Sequence, residues 1–333
     1  MANLTKPQLR SRVIEAVKAS GWFVLDEQAP NEHPFKLTVF PNGRSNESRK
    51  IKVYIWNVSH GGKKRADDEY RIQSKVSHFQ PELGYDLLIL GWWEEGRVFA
   101  AFDYRKHSGA VAWSASFQIK LDALENAAIS GFSPSQKENQ EIAIALRPDF
   151  LCHYVENRQA FHEFGRSSRD FQLLNTFSQQ TESLDDDSLV DSMPRARRKA
   201  IRMVRTSIRD FNFRWRVLTA YTYKCAFCDI QLGLVEAAHI VPVSVENSTD
   251  ATNNGIALCS LHHSAFDAGL VTLDERYRIL VSENKISELR LQNLLGGEHL
   301  FRTSLRPVIS VPPTHSDRPR IDNIKRANSL RGW

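Results

Sequence analysis

The chain has 333 residues, 41% of them hydrophobic and 25% charged, with a net charge of +5; that length suits two domains better than one, and the composition is that of an ordinary globular protein. No apolar run approaches the roughly 20 residues needed to cross a bilayer, and "MANLTKPQLRSRVIEAVKASGW" lacks the uninterrupted apolar core of a secretory signal. Four cysteines are too few for a disulfide scaffold in a chain this long, and a basic charge is compatible with a polyanionic partner without requiring one.

In chain order, Leu9, Val13, Ile14 and Val17 recur at helical spacing and predict a helix over 6–20 that Gly21 ends. Strands are predicted at 35–40 and 50–58. "YDLLILGWW" and "RVFAAFDYR" form a further pair, joined by a turn at "EEG". "SFQIKLDALENAAISG" passes from strand to helix and ends at Gly131, and 156–175 reads as helix again. The N-terminal part is thus mixed α/β. Its aromatics Tyr54, Trp56, Trp92 and Trp93 have two readings: strand core, or a face on which an extruded base stacks. His60, Lys63, Lys64 and Arg65 lie in a basic, glycine-containing loop suited to phosphate or to solvent. "FDYRKH" is close to an acid-x-Lys nuclease element, but Arg105 stands two places after Asp103, so no active site is expected there.

Residues 181–191, "TESLDDDSLVD", carry five acidic residues and no basic ones, and "PRARRKAIRMVRTSIRDFNFRWR" follows with nine Lys/Arg and one Asp. The reversal of charge predicts a solvated linker and a domain boundary near 178–194. The basic stretch predicts an amphipathic helix over 195–218. Arg198, Arg202, Arg205, Arg209 and Arg216 fall within about 60° of one another on it, a stripe suited to tracking phosphates. Ile201, Val204, Ile208, Phe211, Trp215 and Leu218 fill a neighbouring apolar sector.

Beyond the helix, "KCAFCDIQ" places Cys225 and Cys228 in a C-x2-C knuckle, and Cys259 and His262 repeat the spacing as C-x2-H. Two such pairs surround one tetrahedral zinc with three thiolates and an imidazole. Cys152 is left over as a buried thiol. His263 and Asp267 are one helical turn apart and suit a second, harder cation such as Mg²⁺. His239 falls in a predicted strand, and Asn254 just before the helix that carries the histidines. A hairpin is predicted over 269–282 around "DER", and "RPRIDNIKRANSLRGW" reads as a basic, part-disordered tail.

"CAFC", "AAHIVP", "NNGIALCSLHH" and "AFDAGLVTLD" resemble the motifs of the HNH, or ββα-metal, endonucleases, including the nine-residue step from Asn254 to His263. More loosely, the whole chain resembles predicted restriction endonucleases with an N-terminal recognition domain, McrA-like modification-dependent enzymes among them. The resemblance implies an α+β protein: a mixed α/β recognition domain at 1–177, an acidic linker at 178–194 and an HNH domain with structural zinc at 195–333. It implies that His239 is the general base, that His263 ligates a catalytic Mg²⁺ or Mn²⁺, and that Asn254 orients the His239 strand. Many HNH domains have Asp or His where this chain has Ala238, so Asp267, with Glu236 behind it, is the expected second ligand. The implied function is cleavage of double-stranded DNA in bacterial defence, in the cytoplasm. The N-terminal domain would choose the target, a 5-methylcytosine site among the options, and one site per chain implies a homodimer. The alternatives are a nuclease whose N-terminal domain senses a small signal or a partner, and a DNA-binding protein with an inactive HNH domain.

Overall fold

Valine, isoleucine and aromatic residues crowd the stretches 49–57 and 85–93, and side chains of this kind favour the pleated backbone when both faces are covered. In the computed structural model, the residues described are 3–27, 32–41, 47–60, 62, 65–74, 76, 78–107, 115–137, 141–164, 167–179 and 195–333. The chain divides into two compact units, Met1–Ile208 and Arg209–Trp333, and is mixed α+β.

The first unit runs α1 (Lys6–Ala19), β1 (Trp22–Asp26), β2 (Phe35–Pro41), β3 (Arg49–Asn57), β4 (Ser59–His60), β5 (Glu69–Gln73), β6 (Tyr85–Trp93), β7 (Val98–Phe102), β8 (Ser116–Lys120), α2 (Leu121–Ser130), β9 (Phe132–Gln136), β10 (Ile142–Leu146), α3 (Leu151–Glu163) and α4 (Ser168–Gln179). Seven strands form one sheet in the order β1-β2-β3-β6-β7-β10-β9, and β4-β5-β8 form a second. The central pair, β3 and β6, is parallel, with Tyr54 opposite Ile89 and Trp56 opposite Gly91. One face of the large sheet buries Ile89, Val98, Ala100 and Ala143 against Ile72, Phe117 and Leu124 from the small sheet and α2. The helix predicted over 156–175 is two helices, because α3 ends at Glu163 and α4 begins at Ser168.

The helix predicted over 195–218 is α5 (Arg195–Ala220). It runs through the point of division, and its apolar sector is buried at Ile201, Val204, Ile208, Phe211 and Leu218. Trp215, expected in that sector, is 37% exposed; Phe213 and Val217 are buried instead. The reason lies at Gly255, where any Cβ would collide with Val217 and crowd the Phe213 ring. The acidic segment 180–194 lies outside the described residues, as do Lys63 and Lys64.

The second unit continues with β11 (Val235–His239), β12 (Gly255–Cys259), α6 (Ser260–Asp267), β13 (Val271–Leu273), β14 (Ile279–Val281), α7 (Glu283–Leu291), α8 (Glu298–Ser304) and α9 (Ile321–Arg331). β11 and β12 are antiparallel with His239 opposite Gly255, and β13 and β14 make the predicted hairpin. Asn254 precedes a strand, not the helix as expected: β12 intervenes before α6. The C-terminal tail is also corrected. It is helical, with Ile324 and Ala327 buried. Arg331 donates to the Ile240 carbonyl at 3.0 Å, so the tail fastens the loop that follows β11. No helix among the described residues is long and apolar enough to cross a membrane.

Candidate active site and metal centre

The C-x2-C knuckle sits in the turn after α5, Cys259 closes β12, and His262 lies in the first turn of α6. Three separate segments thus converge, and the four ligand atoms lie within 4.8 Å of one another. Cys225 Sγ and Cys259 Sγ stand 3.4 and 3.3 Å from His262 Nδ1, and the sulfurs of Cys228 and Cys259 are 3.9 Å apart. A zinc at ordinary bond lengths gives tetrahedral edges of about 3.5–3.8 Å, so the residues fit the ion. The donor chemistry agrees. The hydrogen bond between Cys225 and Cys259, reinforced by burial, pushes the Cys225 thiol well up. The same bond, with help from His262, draws Cys259 down. Three sulfurs and an imidazole gathered this closely are the donor set that zinc takes. His262 Nε2 lies 3.2 Å from Ser304 Oγ on α8, the kind of outer partner that fixes a metal-bound imidazole. The cluster fits a zinc site.

His239 ends β11, and its ring stacks on Phe213 with centroids 3.7 Å apart and planes 7° apart. Its Nε2 lies 3.0 Å from Asp250 Oδ1. The Asp250 carboxyl is held down to about 2, first by this bond and then by Arg209. Burial and the charge of Asp250 hold Asp210, on the same turn of α5, above the ordinary carboxylate range. Asn254 is buried, and its side chain is fully used. Oδ1 accepts from the Val241 N–H at 3.0 Å, and Nδ2 donates to the carbonyls of Val241 and Thr249 at 3.2 and 2.8 Å. Those bonds clamp both ends of the loop between His239 and Asp250.

His263 faces out of α6 between two carboxylates. Nδ1 lies 2.7 Å from Glu236 Oε2 and Nε2 lies 3.3 Å from Asp267 Oδ2. The hydrogen bond to Glu236, with Asp267 assisting, holds the imidazole above its ordinary value. A spot where two carboxylates favour a proton also favours a divalent cation, and imidazole plus carboxylate is a suitable donor set. The two acids take opposite ring nitrogens, however, and among the described residues they form no second set of three mutually close ligand atoms with His263.

The remaining candidates scatter. Of the arginine stripe, Arg209 and Arg216 are engaged within the unit: Arg209 Nη2 lies 2.7 Å from Asp250 Oδ2, and Arg216 donates to the Asp250 carbonyl at 2.7 Å. Arg198, Arg202 and Arg205 lie on the first half of α5. Tyr54, Trp92 and Trp93 are buried, at 3%, 2% and 7% exposure, which is the strand-core reading of the two, and they offer no open face to a base. Trp92 packs on Phe99 at 4.7 Å, Trp93 meets Tyr70, and Tyr54 stacks on Trp56. Trp56 is half-buried, with the Lys6 ammonium 4.8 Å over its ring. His60 folds back on its own loop at Gly62 and Ala66, and Arg65 pairs with Glu69. Asp103 is bound by Arg105 at 2.9 Å. Sequence reasoning missed Asp250 altogether: it lies in "NSTDATNN", and a lone Asp in a Ser/Thr/Asn loop carries no signal of its own.

Residues 225–274 match the model of the HNH endonuclease family, and residues 49–155 match that of the family described as Methylase-associated X1. No curated protein matches the chain. A solved structure described as a modification dependent TagI restriction endonuclease is 12% identical, with 84% of this chain and 80% of that chain covered at a TM-score of 0.31. A likeness that loose carries no conclusion about fold or activity. The HNH match spans both zinc pairs, His239, Asn254 and His263, so the C-terminal unit contains an HNH endonuclease domain and the chain is a nuclease.

Proposed function

We propose that the protein is a metal-dependent DNA endonuclease of restriction type, with 1–177 choosing the target, 178–194 linking, and 195–333 cutting. The observation that carries this is the grouping of His239, Asn254 and His263 on one β-hairpin and the helix that follows it. In this reading His239 takes a proton from the attacking water, and Asn254 holds the backbone that positions it. His263 and Asp267 hold Mg²⁺ or Mn²⁺, which when bound would neutralise charge on the scissile phosphate and the leaving oxygen. Cys225, Cys228, Cys259 and His262 hold zinc as a structural ion. Arg198, Arg202 and Arg205 contact phosphates of double-stranded DNA. A homodimer would cut both strands, and the setting would be bacterial defence in the cytoplasm. Digestion of modified and unmodified genomic DNA with Mg²⁺ or Mn²⁺, with end mapping, tests the proposal; no cleavage of either would defeat it.

Asp267→Ala is expected to raise the metal concentration for half-maximal cleavage by about tenfold or more, the usual cost of disturbing a metal's partners. A titration that does not move with Asp267→Ala but moves with Glu236→Ala would transfer the place to Glu236.

Modification dependence is the finer part of the proposal. The family matched over 49–155 is described as methylase-associated, which fits a target whose methylation state matters, whether the methyl group is required or blocks cleavage. The buried aromatics give no base pocket, so one would have to be built elsewhere in the unit. A methyl group in an apolar pocket contributes about 1–3 kcal/mol, so discrimination is expected to be real and incomplete. The full chain carrying His239→Ala should bind a 5-methylcytosine duplex about tenfold or more tightly than the same unmethylated duplex. Equal binding in a gel-shift titration would favour an ordinary sequence-specific enzyme. A second reading, in which the N-terminal domain senses a small signal molecule, is favoured by a polar cavity of about 540 Å³ lined by Glu69, His107, Gln118, Lys120, Lys137 and Glu141. Cleavage of purified DNA without any added signal would exclude it.

A further inference from the structure

The Asp250 carboxylate is divided between two partners. Oδ1 faces His239 Nε2 at 3.0 Å, and Oδ2 accepts from Arg209 Nε at 2.8 Å and faces its Nη2 at 2.7 Å. Its backbone carbonyl accepts from Arg216 at 2.7 Å, so α5 holds this residue at both side chain and main chain. An ionised carboxylate can only accept hydrogen bonds. The nitrogen of a neutral His239 that faces it must therefore carry the hydrogen, and the lone pair lies on Nδ1. The Phe213 ring, parallel to the imidazole at 3.7 Å, fixes the plane in which that lone pair points.

We propose that Asp250 is the positioning residue for His239: backed by Arg209, it selects the Nε2–H tautomer and so leaves Nδ1 as the atom that accepts the proton from water. The inference rests on the reading of His239 as the general base. In the step concerned, a water proton passes to Nδ1 and the water oxygen bonds to phosphorus. The bond from phosphorus to the leaving oxygen breaks, and its electron pair stays on that oxygen. Asp250 exchanges no proton; it holds the ring and stabilises the imidazolium that forms, as the buried carboxylate of a serine-protease triad does for its histidine.

The divided carboxylate makes an unusual mutational order. Asp250→Asn keeps one oxygen and replaces the other by an NH₂ group that cannot accept. Arg209 is a donor only, so the amide oxygen turns to Arg209 and the NH₂ turns to His239. Nε2 must then accept, the hydrogen moves to Nδ1, and the base is blocked. Asp250→Ala removes the anchor without imposing the wrong tautomer. Loss of cleavage rate is therefore expected to be about 10²-fold for Asp250→Ala and larger, about 10³–10⁴-fold, for Asp250→Asn. Adding Arg209→Ala to Asp250→Asn frees the amide to turn over and should recover part of the rate. The direct readout is the tautomer of His239 by long-range ¹H–¹⁵N correlation on the full-length, ¹⁵N-histidine-labelled protein at pH 8, assigned with His239→Ala. The expected result is Nε2–H in the wild type, Nδ1–H with Asp250→Asn, and a return towards Nε2–H in the double variant. Nδ1–H in the wild type, or an Asn variant more active than the Ala variant, would overturn the proposal. The wild-type spectrum decides even if a variant fails to fold. Full cleavage by His239→Ala would instead defeat the general-base reading, leaving the tautomer result standing, so the two failures are distinguishable.

Discussion

His239→Ala is expected to lower the single-turnover cleavage rate by about 10²–10⁴-fold, the usual contribution of a general base, while zinc content and DNA binding stay near wild type. The fold should tolerate the change for reasons visible around the ring. The side chain is 21% exposed and ends its strand, so truncation opens towards solvent rather than leaving a closed cavity. Asp250 keeps Arg209 at 2.7 Å, so no buried charge is orphaned, which is the circumstance that makes removal of an ion-pair partner severe. What is lost is the stack on Phe213 and one hydrogen bond, a cost of about 1–2 kcal/mol. None of the zinc ligands touches this corner of the hairpin. A rate within tenfold of wild type, measured at saturating metal, would remove His239 from the role. A large loss accompanied by loss of zinc would instead point to a folding defect.

How much of this was legible in the sequence depends on how local each signal is. The C-x2-C and C-x2-H pairs were readable because a metal imposes its geometry on short spacings, but β12, between Asn254 and α6, was not, because five residues leave too short a period to tell strand from helix start. The helical period of 195–218 was readable for the same local reason. The job of its arginines was not. Arg209 and Arg216 look like the rest of a basic face until Asp250, distant in sequence, comes to meet them. Asp250 itself was invisible because its loop has turn-forming composition, and only the clamp by Asn254 turns the loop back to His239. The strand aromatics could be placed on strands, but alternation gives no hint of what covers the sheet. A second sheet and α2 cover one face, which is why Trp93 is core rather than platform. The tail was misread because its charge is high; the few apolar positions Ile324 and Ala327 outweigh that charge by packing inward.

Cys228→Ser is expected to abolish zinc binding and unfold the second unit. A serine hydroxyl stays protonated at neutral pH and replaces a thiolate poorly, so one corner of the tetrahedron is lost. The consequence reaches beyond the knuckle because the ligands come from three segments: the turn after α5, the end of β12 and the first turn of α6. Those segments also carry Phe227, Ile256, Leu258 and Phe266 of the unit's core, so releasing the ion loosens the surfaces on which that core closes. The magnitudes decide the outcome. Structural zinc contributes about 10–16 kcal/mol in small zinc domains, whereas a whole domain of ordinary size is stable by about 5–15 kcal/mol. Even a partial loss therefore consumes the margin. Elemental analysis of the wild type should give one zinc per chain and of the variant close to none. A thermal melt followed by circular dichroism should lose the transition of the second unit while keeping that of the sheet-bearing first unit. Chelation of wild-type protein should reproduce the same melt. Full zinc occupancy in Cys228→Ser would refute the ligand assignment. Zinc loss with an unchanged melt would mean that the core around Phe213 and Ile256 holds the unit together without the ion.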